Sequence, residues 1–314
     1  MIPVVERVLE AKQRKIRAYP AKSNRASELG HDCERYLYYV RNNWRDKALH
    51  SAELQLIFET GNRIEEEAIS ELREGGFMIL EQGRSFEMRD LNITGHLDLK
   101  IAEKGVDKAY PVEVKGLQHS EWKNLNSFHD FIASKKPWVR KYPAQISLYL
   151  LMDNAEEGLF YLKSKATSMP KAVWIKLDFE YTELILRKAE RVNAAILTNT
   201  PPDRMEYDAQ VCGRCPFAHI CLPDRDFGQG AELLDNDEML EWLKRREELK
   251  PLVEEFKGLD DLIKDIAKEK ENLIIGNFWL KGKWKERKGF TVAPSRYWEV
   301  KILPMEKPST EVAQ

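Results

Sequence analysis

The segment Pro111-Val112-Glu113-Val114-Lys115-Gly116 alternates apolar and polar residues as a β-strand does. Because successive side chains of a strand point to opposite faces, Glu113 and Lys115 share one face. An acid and an amine on such a face suit metal-assisted cleavage of a phosphodiester, in which carboxylates hold a divalent ion and the ammonium offsets negative charge. A solvated salt bridge between the two side chains is the alternative interpretation.

Asp98 closes a predicted strand over residues 91–99, fifteen residues before Glu113. A hairpin or a pair of adjacent strands would bring the two carboxylates together. Glu65 lies on a predicted helix over residues 52–74, one turn after Gly61, whose bare backbone we expect to allow close approach of other elements. The alternative is that Glu65 is one of three solvated acids in a row.

Gln145 and Tyr149 are four residues apart in a predicted helix over residues 143–152. This spacing places them on one face of the helix, and two polar groups on the face of an apolar helix indicate a polar role. The alternative is that both side chains border the core.

The chain has four cysteines, at Cys33, Cys212, Cys215 and Cys221. The last three form a tight C-x-x-C-P-F-A-H-I-C loop, and thiolates at such spacing bind a soft or borderline metal. A four-thiolate zinc site fits this chemistry too, although zinc ligands more often come as two local pairs. Disulfides are the weaker explanation, because no signal peptide is visible and a chain of this size does not depend on them.

The order of the acidic, basic and polar residues resembles the RecB-like branch of the PD-(D/E)XK nucleases, which cut DNA with one or two Mg²⁺ or Mn²⁺ ions. The resemblance implies a restriction-endonuclease-like core. It also implies roles for six residues: Asp98 and Glu113 as metal ligands, Lys115 as the catalytic lysine, Gln145 and Tyr149 as the substrate-contacting Q-x-x-x-Y element, and Glu65 as the third carboxylate. Many members of the branch carry histidine where this chain has Glu65.

The cysteine pattern resembles the iron–sulfur, Cas-four-like members of the same family. That resemblance implies a structural 4Fe–4S cluster, held by Cys33, Cys212, Cys215 and Cys221, which closes the two ends of the nuclease domain. We interpret His31 and His219, which lie near these cysteines in the sequence, as bystanders. The resemblance covers about residues 23–225.

Composition agrees with a DNA-binding enzyme without identifying one. Charged residues make up 32% of the 314 residues, and no apolar run approaches the roughly 20 residues that span a bilayer. With no targeting segment evident, we expect a cytoplasmic protein. The formal net charge is only −2, but affinity for DNA depends on local basic residues. One basic segment, residues 135–142, would place Trp138 or Tyr142 against an unpaired base; the alternative is a solvated loop with its tryptophan packed on the core.

Alternating helix and strand segments predict an α/β fold, in which a mixed central sheet is flanked by helices. We expect a nuclease domain over residues 1–225, closed by the four cysteines, and a C-terminal extension over residues 226–314. The extension reads as a helix pair, or one helix interrupted near Pro251, followed by a β-hairpin near residues 274–285. Residues 235–300 are a candidate surface for DNA or for a protein partner; the alternative is a helical arm that packs its apolar stripe on the core, with the hairpin adding strands to a sheet.

These observations favour a metal-dependent DNA exonuclease that prefers single-stranded or frayed ends and carries a structural 4Fe–4S cluster. A catalytically silent module that binds DNA ends or proteins, with a structural zinc or iron–sulfur site, is the alternative. A redox protein that uses the cluster for electron transfer is a third hypothesis. The presence of Asp98, Glu113 and Lys115 together favours the enzyme.

Overall fold

The structure is a computed structural model that describes residues 2–223 and 236–285. These residues form two compact units, 2–223 and 236–285. In chain order the elements of the first unit are α1 (Val4–Gln13), β1 (Asn24–Arg25), α2 (Ala26–Leu29), α3 (Glu34–Asn42), α4 (Ala52–Glu74), β2 (Met78–Met88), β3 (Ile93–Ala102), β4 (Ala109–Leu117), α5 (His119–Asn124), α6 (Phe128–Ile132), α7 (Pro137–Arg140), α8 (Tyr142–Met152), β5 (Glu157–Ser164), β6 (Pro170–Lys176), α9 (Phe179–Leu197), α10 (Ala209–Cys212) and α11 (Ala218–Cys221). No helix in these ranges is long and apolar enough to cross a membrane.

A mixed sheet forms the centre of the first unit and confirms the predicted fold class. The pairs β2–β3, β3–β4 and β5–β6 are antiparallel, whereas β4–β5 and the short β1–β3 pair are parallel. Strand β2 pairs with one edge of β3 over residues 93–102, so β1 and β4 share the other edge.

The two strands that carry the predicted acids separate just where those acids lie. Strands β3 and β4 pair from Ala102 opposite Ala109 to Leu99 opposite Val112. Beyond this point β4 continues alongside β5, and among the described strands none pairs with residues 95–98 of β3 on that edge. We call this opening the fork; Asp98 and Glu113 are the first residues inside it.

Helices cover both faces of the sheet. Helix α4 packs its apolar side, including Ile64 and Leu72, against Val112, Val114 and Leu159. It begins after Ser51, whose hydroxyl accepts a hydrogen bond from Leu54 N at 3.4 Å, as expected of a helix N-cap.

The opposite face is covered by α8, whose residues 143–150 are all buried. An apolar helix with no solvated side belongs in the interior of a protein. Its residues Ile146 and Leu150 pack with Phe160 and Leu162 of β5. The strands therefore follow the two-residue alternation that the sequence predicts, since Leu159 and Tyr161 face α4 instead.

The second unit contains one helix and one hairpin in its described residues. Helix α12 (Asp237–Ala267) continues through Pro251, so the expected interruption at this residue is wrong. The predicted hairpin is present as β7 (Asn272–Ile275) and β8 (Phe278–Lys281), joined at Gly276, whose φ is +56°. The part of the candidate partner surface beyond residue 285, and the expected boundary at residues 225 and 226, lie outside the described residues.

Two glycines show opposite environments. The expectation of a close approach at Gly61 is wrong, because no described atom lies within 4 Å of a methyl group built there. At Gly30 such a methyl group would lie 2.6 Å from both the Cα and the carbonyl oxygen of Lys141. Gly30 therefore allows the segment before Cys33 to pack directly on the start of α8.

We predict that Gly30→Ala lowers the free energy of unfolding by about 1–3 kcal/mol, because the neighbouring backbone must move to admit the methyl group. Gly61→Ala, the matched control on the exposed side of α4, is expected to raise it by about 0.5–1 kcal/mol through higher helix propensity. Equilibrium unfolding in urea measures both changes. Equal stabilities of the two variants would contradict the packing at Gly30.

Candidate functional site

The fork holds a buried cluster of acids and an amine. Asp98 Oδ2 accepts a hydrogen bond from the backbone N–H of Val114 at 2.8 Å. The side chain of Glu113 is fully buried, and its Oε2 accepts a hydrogen bond from Lys115 Nζ at 2.8 Å. Glu113 and Lys115 thus lie on the same face of β4, opposite to Val112 and Val114, which pack against α4.

The second carboxylate oxygen of Glu113, Oε1, has no hydrogen-bond partner among the described residues. Burial raises the pKa of Glu113 to about 8, and the charge of Asp98 adds to this effect while the Lys115 ammonium opposes it. Burial works against the charged form of Lys115, but Glu113 and Asp98 outweigh it and raise the lysine pKa. The cluster therefore contains a charged amine and a carboxylate that lacks part of its compensation.

Glu65 differs from the two acids that follow it on α4. It is half-buried, and burial together with the charge of Asp98 raises its pKa, while Lys115 lowers it. Glu67 instead pairs with Lys163 Nζ at 2.8 Å, and Glu66 is exposed. Glu65 is thus the one acid of this row that interacts electrostatically with the residues of the fork.

These four side chains have the charge to attract a cation. When ionised, the three carboxylates and one ammonium leave two negative charges uncompensated. In the described part of the chain, no three Cys, His, Asp or Glu side chains converge as the ligands of a single ion would. Mg²⁺ is commonly bound by one or two carboxylates together with waters and substrate phosphates. A group of carboxylates in which Glu113 Oε1 has no partner within the described ranges fits that mode of binding.

Gln145 and Tyr149 extend from α8 into the same region. Tyr149 Oη accepts a hydrogen bond from the backbone N–H of His96 at 3.1 Å, and Gln145 Nε2 lies 3.5 Å from that oxygen. A methyl group at Gly95 would lie 2.4 Å from the Tyr149 ring, so the ring requires glycine there. Tyr149 therefore fills the part of the fork next to Gly95 and His96.

One contact of the site was not assigned from the sequence. The ring of Tyr142 lies 5.1 Å from Lys115 Nζ, within the range of a cation–π interaction. Tyr142, Gln145 and Tyr149 are spaced three and four residues apart, which places them on one face of α8. This spacing was the signal that would have identified Tyr142 as part of the site.

The structure brings all four cysteines together. Cys33, Cys212, Cys215 and Cys221 line one cavity, whose wall includes Tyr36, Tyr39, Val211 and Leu222. Burial raises the pKa of the Cys215 thiol to about 11. The other three cysteines raise it further, while a hydrogen bond from the backbone of Phe217 lowers it. A bound cation would compensate the charge of the thiolates that ligate it.

The two neighbouring histidines are placed differently. His31 lines the cavity, but its Nδ1 accepts the backbone N–H of Cys33 at 3.0 Å and its ring stacks on Tyr36, with 3.9 Å between the ring centroids. His219 is exposed and is not among the residues that line the cavity.

Comparison with known proteins identifies the family. The family model described as the PD-(D/E)XK nuclease superfamily matches residues 4–222. A comparison with curated proteins gave no match.

Similar solved structures include SSO0001, with 18% identity, a TM-score of 0.41 and coverage of 71% of this chain and 98% of that one. An alkaline exonuclease from Laribacter hongkongensis, LHK-Exo, has 13% identity and a TM-score of 0.41, with coverage of 62% of this chain and 93% of that one. The complex of LHK-Exo with dAMP has 12% identity and a TM-score of 0.38, with the same coverage. The assignment depends on the family model, which spans most of the first unit: the chain belongs to the PD-(D/E)XK nuclease superfamily.

Proposed function

We propose that this protein is a Mg²⁺- or Mn²⁺-dependent DNA exonuclease that prefers single-stranded or frayed ends. The observation that carries the proposal is the fully buried Glu113, with one oxygen unpartnered among the described residues, beside Asp98 and Lys115. A purely structural role would use both oxygens of a buried carboxyl group, because a buried polar atom without a hydrogen-bond partner is costly. The preference for unpaired DNA is supported by the basic segment 135–142, whose Tyr142 touches Lys115.

A bound divalent ion would lower the pKa of a water and neutralise charge on the phosphate. Asp98 and Glu113 are the proposed ligands, and Glu65 completes the carboxylate set. The hydrogen bond from Val114 fixes one oxygen of Asp98 and leaves Oδ1 as the candidate ligand atom.

Lys115 is the proposed catalytic amine. Its ammonium is held at Glu113 and rests on Tyr142. In this position it orients the attacking water or offsets the negative charge that develops on the phosphate. Gln145 and Tyr149 are proposed to position substrate beside it.

We also propose a 4Fe–4S cluster at Cys33, Cys212, Cys215 and Cys221, as in the Cas-four-like branch. The four cysteines line one cavity, which supports a metal centre held by all four. Three of them come from one short loop and the fourth from a distant segment, whereas the ligands of structural zinc more often come as two local pairs.

The remaining proposals concern organisation. We place a nuclease domain at residues 1–225 and an extension at 226–314, with residues 235–300 available to a protein partner. Exposed apolar side chains along α12, including Trp242, Phe256 and Ile266, support such a partner. A cytoplasmic location agrees with four cysteines that are not joined in disulfides.

We predict that Lys115→Ala and Asp98→Ala each lower Mn²⁺-dependent DNA degradation by at least about 100-fold. The assay uses end-labelled single- and double-stranded DNA, with each terminus blocked in turn, and closed circular single strands to separate exonuclease from endonuclease action. Lys176→Ala, at an exposed lysine of β6, is the matched control and is expected to retain full activity. Full activity of a correctly folded Lys115→Ala variant would refute the assignment.

A second prediction concerns pH and metal. The pKa of Glu113 rises from near 4.5 in the unfolded chain to about 8 in the folded protein. The folded state therefore binds the extra proton, and this contribution to stability is lost as pH increases through about 8. Without metal, we expect the melting temperature of the wild type to fall relative to Glu113→Gln between about pH 5 and about pH 9.

Adding Mn²⁺ at the higher pH should raise the melting temperature of the wild type more than that of Glu113→Gln, because the ion binds the ionised carboxylate. Parallel pH profiles for the two proteins, with equal gains from Mn²⁺, would argue against Glu113 as a ligand.

A third prediction concerns the metal centre at the four cysteines. We expect purified protein to be brown, with a broad absorbance in the blue part of the visible spectrum that Cys212→Ala abolishes. His219→Ala, at the exposed histidine of the same loop, should keep the absorbance. Colourless wild-type protein with stoichiometric zinc would overturn the iron–sulfur assignment.

A further inference from the structure

Trp138, on α7, is 36% exposed and has two cationic groups over its ring. Lys136 Nζ lies 5.6 Å, and the guanidinium carbon of Arg214 lies 5.3 Å, from the ring centroid. Both distances are within the range of cation–π interactions. An accessible aromatic ring with cations beside it is the combination by which proteins bind single-stranded nucleic acid.

The position of Trp138 relates it to the fork. Tyr142, which contacts Lys115, follows Trp138 by four residues, and four residues of chain span at most about 14 Å. A strand whose scissile phosphate reached Lys115 would therefore need to extend only a short distance to reach the segment that carries Trp138.

The segment that carries Trp138 is held firmly. Arg140 pairs with Asp32, its Nη2 lying 2.5 Å from the carboxylate, and Lys141 Nζ lies 3.2 Å from Glu28. Gly30 packs against the backbone of Lys141. A surface that is already ordered before binding loses less entropy when a ligand is bound.

The other aromatic residue of this segment is less suited to bind a base. Tyr142 is partly buried and its ring lies against both Phe160 and the Lys115 ammonium. Burial raises its pKa, as expected of a phenol in the interior. Of the two aromatic residues that the sequence suggests for stacking, Trp138 is the accessible one.

We propose that Trp138 stacks on an unpaired base of the DNA strand, while Lys136 and Arg214 bind the adjoining phosphates. Arg214 lies between Cys212 and Cys215, so the cysteine loop supplies a DNA contact of its own in addition to closing the domain. This proposal rests on the proposed function, since it places a single strand at the fork.

The test measures binding apart from cleavage. Fluorescence anisotropy gives the affinity of the Lys115→Ala protein, without divalent metal, for a short oligothymidylate and for an oligonucleotide of equal length and charge that lacks every base. We expect Trp138→Ala to weaken binding of the oligothymidylate by roughly tenfold and to leave binding of the base-free strand unchanged. Trp138→Phe, which retains an aromatic ring, should recover most of the loss.

Trp174→Ala is the matched control, because Trp174 is also exposed but lies on β6 with its ring edge-on to Tyr110. It should bind both strands as the parent does. Arg214→Ala should weaken binding of both strands and reduce the salt dependence of the affinity, with the slope of log K against log salt about 0.7 smaller in magnitude.

If the Lys115→Ala protein bound the oligothymidylate and the base-free strand with equal affinity, the proposal would be overturned, and no variant at Trp138 would be needed. A folded Trp138→Ala protein that still discriminates between them as the parent does would overturn it too. Failure of the proposed nuclease function gives a different result: wild-type protein that degrades no DNA under Mn²⁺, whatever the binding data show.

Discussion

The constraint on which the site depends is the separation of β3 from β4 after the pair Leu99–Val112. Two backbone N–H groups at the opening are bonded by side chains: Asp98 accepts from Val114, and Tyr149 accepts from His96. A buried backbone donor without a partner is costly, so these two side chains stabilise the opening. Continued pairing of the strands would close the space in which Glu113 and Lys115 now face α8.

The same opening holds acids whose charged forms are disfavoured by burial and by one another. Glu113 is fully buried with one oxygen unpartnered in the described residues, and Glu65 is held near Asp98 although their charges repel. Unfavourable arrangements of this kind cluster at functional sites, where an external ligand completes the compensation. Lys163 shows the opposite arrangement. This buried amine of β5 pairs with both Glu67 and Glu71 of α4, so its charge is compensated within the protein.

The bounds of the main strands and helices were predictable from the sequence because local residue patterns determine them. The alternation around Glu113 defines β4, and α4 has the predicted bounds of residues 52–74 because Ser51 caps one end and Gly75 follows the other.

The two-residue β1 was not predicted, since so short a strand has no periodicity. Tyr142 was not assigned to the site, because its contact with Lys115 depends on how α8 crosses the sheet. We expected Pro251 to interrupt a helix that in fact continues through it. The expectation that Cys33 lies near a loop nearly 180 residues later came from family resemblance and not from spacing, and the structure places all four cysteines around one cavity.

The contacts between α3 and the cysteine loop have a consequence for biosynthesis. Tyr38 and Tyr39 pack against Phe217, and Arg35 donates to the carbonyl oxygen of Pro202 at 2.8 Å. A ribosome delivers the N-terminal partner of each pair long before the C-terminal one. While translation proceeds, Tyr38 and Tyr39 therefore lack Phe217, and they pack against it only once residue 217 has left the ribosome.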